Sequence, residues 1–129
     1  MKYDFNIVKR KIVIEAQIKG IADYRNFEFI LDTGASKSII DDSVARRLGF
    51  DLTKLRTGDR LMTVGGGVCS KILKLPKLSL CGKDIVNFEV NILNIPSQIL
   101  YFADGLIGMD FLLHFKNIKF DFEGKTIET

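Results

Sequence analysis

Apolar and polar residues alternate over residues 12–18. Ile12, Ile14, Ala16 and Ile18 share one face and Val13, Glu15 and Gln17 the other, the period-two pattern of a half-buried strand. Alternation resumes over residues 26–31, with Phe27, Phe29 and Leu31 on one face. With residues 20–25 as the loop, the two segments predict a hairpin. Residues 1–10 predict either a further strand or an arm that touches a partner. Ile39-Ile40 reads as a short strand. Asp41-Asp42, then residues 43–48 with Arg46-Arg47 near the end and Gly49 beyond, predict a short helix with both ends signalled. Residues 52–60 read as a loop. Residues 61–64 and 68–72 flank Gly65-Gly66-Gly67, and three glycines in a row lose too much backbone entropy to suit a strand interior, so they predict a hairpin tip. Residues 72–80 form another strand region, in which Pro76 suggests an edge or a bulge. Gly82-Lys83-Asp84 turns the chain. Residues 86–93 alternate, with Val86, Phe88, Val90 and Ile92 on one face. Residues 94–103 are irregular, and Ile99-Leu100-Tyr101-Phe102 could line a pocket or a core. Residues 109–115 predict a helix of one to two turns. Residues 117–122 and 125–128 form a last hairpin around Glu123-Gly124. The sum is mostly β with two short helices. Short strands punctuated by turn residues point to a small closed barrel.

Composition narrows the class. At 129 residues, the chain suits one domain around one core, and residues 1–129 are read as that domain, with no internal repeat or linker. Apolar residues at 47% and charged residues at 27% describe a soluble globular protein rather than a disordered one. The net charge of +3 does not imply nucleic acid. Lys9-Arg10-Lys11 and Arg46-Arg47 read as solvated faces. Lys71, Lys74 and Lys77 could share a strand face, but no aromatics alternate with them as a base-stacking platform would need. No apolar run is long enough to cross a bilayer, and no apolar signal-peptide core follows Met1-Lys2-Tyr3-Asp4, so a cytoplasmic location without a membrane partner is expected. Cys69 and Cys81 could pair, although free thiols suit that compartment better. With His114 as the single histidine, a zinc cluster is not expected, and neither is any other metal or cofactor. His114 itself reads as a helix-surface or core-edge residue.

The candidate chemistry lies in Phe29-Ile30-Leu31-Asp32-Thr33-Gly34-Ala35-Ser36. An apolar strand end delivers a carboxylate where the core stops, and a partly desolvated charge is costly unless something answers it. Gly34 permits a turn and close approach of another group. Thr33 brings a hydroxyl. Taken alone, the stretch is also what a strand followed by an Asx-type turn looks like. The order of the surrounding features separates the readings: Asp32-Thr33-Gly34, then the glycine-rich hairpin, then Leu106-Ile107-Gly108. A phosphate-cradling loop competes for the three glycines, but no helix start and no Gly-Lys-Ser/Thr follows them. Over residues 12–123, the ordered set resembles the aspartic proteases. It is most similar to their single-domain, retroviral-type (retropepsin-like) members, which include stand-alone microbial forms and the protease domain of the DNA-damage-inducible shuttle proteins.

That resemblance implies a small closed acid-protease β-barrel, one lobe per chain, and an aspartic endopeptidase. Such enzymes hold one water between two carboxylates that share a proton. This chain has one Asp-Thr-Gly, so the resemblance implies a twofold homodimer in which each chain contributes Asp32 as catalytic residue. Thr33 would lock the two loops together across the axis, and Gly34 would bring its backbone near the substrate. Ser36, or the backbone of Ala35, would support Asp32. Val64, Gly65, Gly66, Gly67 and Val68 would form a flap over bound peptide, and Leu106, Ile107 and Gly108 would pack under the loop. The implied partners are a second copy and an extended peptide or unfolded protein, with no nucleic acid and no membrane. Residues 109–129 run past the point where the retroviral enzymes end, which would let the last hairpin contribute to the dimer. The alternative is a non-catalytic dimeric peptide-binding or dimerisation module of the same fold. An intact Asp-Thr-Gly weighs against it, because a binding module has little need for a half-buried carboxylate.

Overall fold

The two amphipathic segments near the N-terminus pair as their apolar faces require. In the computed structural model, which describes residues 1–63, 66–95 and 103–129, β3 (Lys11–Lys19) and β4 (Tyr24–Leu31) run antiparallel. Ile14 lies opposite Phe29 and Ala16 opposite Phe27, all buried. Residues 1–10 carry two strands, β1 (Lys2–Asp4) and β2 (Asn6–Val8). β2 joins β3 through Lys9 and Arg10, both at positive φ, 49° and 63°. Two left-handed residues give a two-residue turn whose twist matches that of the strands.

Beyond β4 come β5 (Ile39–Asp41) and α1 (Asp42–Arg47). The side chain of Asp41 caps the helix by accepting from the Ser43 N–H, while its other oxygen accepts from Ile95 N at 3.0 Å. At the far end, Phe50 N donates to Ala45 O and Gly49 N to Arg46 O, with Gly49 at φ 91°. That pattern closes a helix through a left-handed residue that glycine adopts without strain. The helix signals in the sequence therefore map onto observed caps.

A single turn at Leu52–Lys54 leads into β6 (Arg56–Thr63), β7 (Gly66–Leu80) and β8 (Lys83–Leu93). Then follow β9 (Gly105–Ile107), α2 (Met109–Leu112), β10 (Lys119–Asp121) and β11 (Thr126–Glu128). The main sheet runs β2-β3-β4-β9-β5-β8-β7-β6, and a further pairing of β3 with β7 closes six of its strands into a ring. β1, β11 and β10 form a separate three-stranded sheet, so the last hairpin pairs with the chain's own N-terminus. The fold is mostly β, with two short α-helices among the described residues. Phe29, Ile18, Leu75, Leu78, Ile107 and Phe111 are almost wholly buried inside it. Each such side chain contributes roughly 1.5–3 kcal/mol by leaving water. A second, smaller cluster on the outer face joins Val13 and Ile30 to Val8, Ile95, Ala103 and Leu106.

Several expectations need correction. Residues 56–60 are strand rather than loop. Arg56, Thr57 and Arg60 are exposed, so no apolar alternation marked them, and the register with β7 shifts between Thr57 and Arg60. Gly66 and Gly67 belong to the β7 ladder, opposite Thr63 and Met62, rather than to the tip. The guanidinium of the exposed Arg60 lies across Gly67, where a Cβ would have to displace it. Pro76 does not interrupt β7. It sits between the stretch paired with β6 and the stretch paired with β3, where its missing N–H is not needed. Opposite it, Asn87 takes φ 54°, and this resets the alternation of β8. Phe88, Val90 and Ile92 stay inside, whereas Val86 is 65% exposed. The β7–β8 turn is Cys81-Gly82, at φ 49° and 75°, one residue earlier than expected. Both cysteines are free. Val64 and Gly65 of the expected hairpin tip, and residues 96–102 with the Ile99-Leu100-Tyr101-Phe102 run, lie outside the described residues. Among the described residues no helix is long and apolar enough to cross a membrane.

Candidate active site

β9 lies between β4 and β5, parallel to the first and antiparallel to the second. The segment joining β4 to β5, residues 32–38, must therefore arch over the C-terminal end of β9. This is the Asp32 loop, and backbone bonds fix it from below. Asp32 N donates to Ile107 O at 2.9 Å, and Ala35 N donates to Asp32 O at 3.1 Å. The first turn of α2 has N–H groups with no partner inside the helix, and the loop's carbonyls satisfy two of them. Met109 N donates to Ala35 O at 2.8 Å and Asp110 N to Ser36 O at 3.2 Å. Gly108 makes the crossing possible, since a Cβ there would stand 2.8 Å from Ala35 O and from Lys37 O.

Asp32 is half-buried at the mouth of this arch. Its Oδ1 accepts from Gly34 N at 2.9 Å. Thr33, Gly34 and Ser36 are exposed, and Ala35 is half-buried. Of the second landmark, Ile107 enters the main core, Leu106 packs in the outer cluster beside Ile30, and Gly108 lies directly beneath the loop. The structure thus brings together Asp32, Gly34, Ala35, Ser36, Ile107 and Gly108. Gly66, Gly67 and Val68 lie in β7, opposite Thr63, Met62 and Leu61 of β6.

Four polar residues escaped the sequence reading. Ser38, fully buried, donates from Oγ to Asp110 Oδ1 at 2.7 Å and from N to Asp110 Oδ2 at 2.9 Å; its Oγ accepts from Gly108 N at 3.0 Å. Around the loop, the Ser38 hydroxyl is tied to Asp110 and Gly108, while the carbonyls of Ala35 and Ser36 accept from Met109 N and Asp110 N. Asp110 could have been suspected as an acid in the first turn of a predicted helix, but nothing local to Ser38 marks it. Asn91 N donates to Ser38 O at 3.1 Å. Asp104 fastens the start of β9. It exchanges backbone and side-chain bonds with Glu28, its carbonyl accepts from Asp41 N, and Arg47 reaches its Oδ1 at 3.2 Å. The Glu28 carboxyl is pushed above its usual range, first by burial and then by Glu15 and Asp104 nearby.

The sequence matches the family model described as aspartyl protease over residues 14–111, most of the chain. The chain belongs to the aspartyl protease family. Its fold is retropepsin-like. It is similar to a retropepsin-like aspartic protease from Rickettsia conorii, at 24% identity and TM-score 0.73, covering 98% of this chain and 88% of that one. The EIAV protease, solved with the inhibitor HBY-793, matches at 20% identity and TM-score 0.64, over 83% of this chain and 89% of that one. The retroviral protease-like domain of Ddi1 from Leishmania major matches at 19% and 0.59, over 92% and 86%. No curated protein matches the sequence. At these identities the solved structures speak to the fold of this retropepsin-like chain, and the family model to its membership.

Proposed function

We propose that the protein is an aspartic endopeptidase whose site is completed by a second copy, each chain contributing Asp32. The observation that carries this reading is the geometry of the arch. One carboxylate is held half-buried by its own loop, with Thr33 and Gly34 turned outward. Oδ1 takes the Gly34 N–H; among the described residues Oδ2 carries no hydrogen bond from this chain. A second loop facing the first would bring two carboxylates around one water. At close range they cannot both ionise, so they share a proton and titrate as a pair. The ionised member takes a proton from the water as it attacks the peptide carbonyl, and the protonated member donates to the carbonyl oxygen. Gly34 and the β6–β7 hairpin, including Val64 to Val68, would bind the peptide extended, by main-chain hydrogen bonds with alternate side chains in pockets. Thr33 would tie the two loops together.

The test is cleavage of a diverse unstructured peptide pool by the purified protein from about pH 3 to about pH 8, with Asp32→Asn beside it. The parent should cleave, with a bell-shaped pH profile, and the variant should lose at least about 10²–10⁴-fold in rate. A folded dimer that cleaves nothing, or an equally active variant, would overturn the reading.

A further inference from the structure

Ser38, Ser70 and Asn91 are the buried polar side chains among the described residues, and they form one line. Ser38 Oγ donates to Asp110 Oδ1 at 2.7 Å, Asn91 N donates to Ser38 O at 3.1 Å, and Ser70 Oγ donates to Asn91 Oδ1 at 2.9 Å. The line runs from the first turn of α2 through the Asp32 loop and β8 to β7. Asn91 is itself buried, in a run with Val90, Ile92 and Leu93, so its amide oxygen needs the partner that Ser70 supplies. β6 rests on the far end of the line, since a Cβ at Gly58 would stand 2.8 Å from Ser70 Oγ. Asn91 and Ile72 also line a cavity of about 130 Å³ together with Ser36, Lys37 and Asp110. The link therefore borders the loop and is not lost in the distant core.

We propose that Asn91 is a positioning residue that sets the stem of the β6–β7 hairpin against the Asp32 loop, its backbone bonded to one and its side chain to the other. The inference rests on the protease reading above, in which a peptide is held between loop and hairpin. A backbone ladder tolerates twisting and small slides, whereas a buried amide–hydroxyl bond is satisfied in only one arrangement. The spacing between loop and hairpin governs how a peptide is gripped, while the chemistry at Asp32 is governed by the loop. Loss of the tie should therefore appear in KM rather than in kcat.

The test compares Asn91→Leu, Ser70→Ala, the double variant and Ser70→Thr, using a peptide substrate drawn from the cleaved pool. Asn91→Leu should raise KM about tenfold with kcat within about twofold, the size expected for one buried hydrogen bond. Ser70→Thr, which keeps the hydroxyl, should stay near the parent. The double variant, which leaves neither end of the Ser70–Asn91 bond behind, should keep the raised KM even where it melts above Asn91→Leu. Recovery of KM along with stability, or a fall in kcat that simply follows the folded fraction at constant KM, would overturn the proposal. Amide hydrogen exchange reads the tie without catalysis. Asn91→Leu should speed exchange about fivefold or more in residues 56–63 and 66–72 and leave the β3–β4 hairpin unchanged. An unaltered or uniform exchange pattern would overturn it. Absence of cleavage by the parent itself would defeat the protease reading and with it the KM role, while exchange would still decide whether the tie exists.

Discussion

The Asp32 loop and the β6–β7 hairpin are built on opposite plans. The loop is short, yet it bonds to Ile107, Met109, Asp110 and Asn91. β6 has a shifted register, and its described side chains are exposed or half-buried. Its Arg56 pairs with Glu89 at the surface, an interaction worth little in water. The difference teaches where this fold invests its order. On the proposed function, a carboxylate that meets another within hydrogen-bond reach needs a support that over-determines its position, and a hairpin that admits a peptide needs fewer buried contacts, because segments that open are drawn from the low-stability end of a structure. Exchange in β6 should accordingly exceed that in β4 and β9 in the parent protein.

The strongest way to break the comparison is to remove the group the loop supports. Asp32→Asn should abolish cleavage while leaving the melting temperature nearly unchanged, because an amide oxygen can still accept from Gly34 N. Next comes the support itself. Gly108→Ala forces a methyl against Ala35 O and Lys37 O, so it should cost about 1–3 kcal/mol of stability and lower activity more than tenfold, read by thermal melting and kinetics together. Asp110→Ala removes both acceptors of Ser38. It should cost about 1.5–3 kcal/mol, the value of hydrogen bonds to a charged group, with kcat falling more than KM. The smallest effect concerns Glu28. Its folded-state carboxyl holds its proton more tightly than the unfolded one. Ionisation therefore opposes folding, and the fold loses stability as pH rises from about pH 4 through the raised value. Glu28→Gln should remove that slope in a pH series of denaturant melts. The gain at neutral pH should be small because the site is partly solvated.

These contrasts also explain what the sequence could reveal. β3, β4 and α1 were legible because each has one buried face or a pair of end signals, and local pattern carries that information. β6 was not, because Arg56, Thr57 and Arg60 face water and leave no period to read. Val86 departs from the alternation of β8 because the single left-handed residue Asn87, inside the strand, has no hydrophobic signature. Asp32, Gly34 and Gly108 stood out through their chemistry next to apolar runs. Ser38, Asn91 and Ser70 did not, because their partners come from distant strands, and a serine among loop residues or an asparagine in an apolar strand looks ordinary until the ring closes. The extra β3–β7 pairing and the self-pairing of the terminal strands likewise depend on contacts between distant parts of the chain.

The central claim is that one site needs two Asp32 residues from two chains. Mixing decides it most directly. Parent and Asp32→Asn chains are unfolded together, refolded at fixed total concentration and assayed for cleavage across the mixing ratio. If each site needs both carboxylates, activity follows the square of the parent fraction, and an equal mixture retains about a quarter of the parent's activity. A linear dependence, with about half retained, would mean that each chain works alone and would contradict the account.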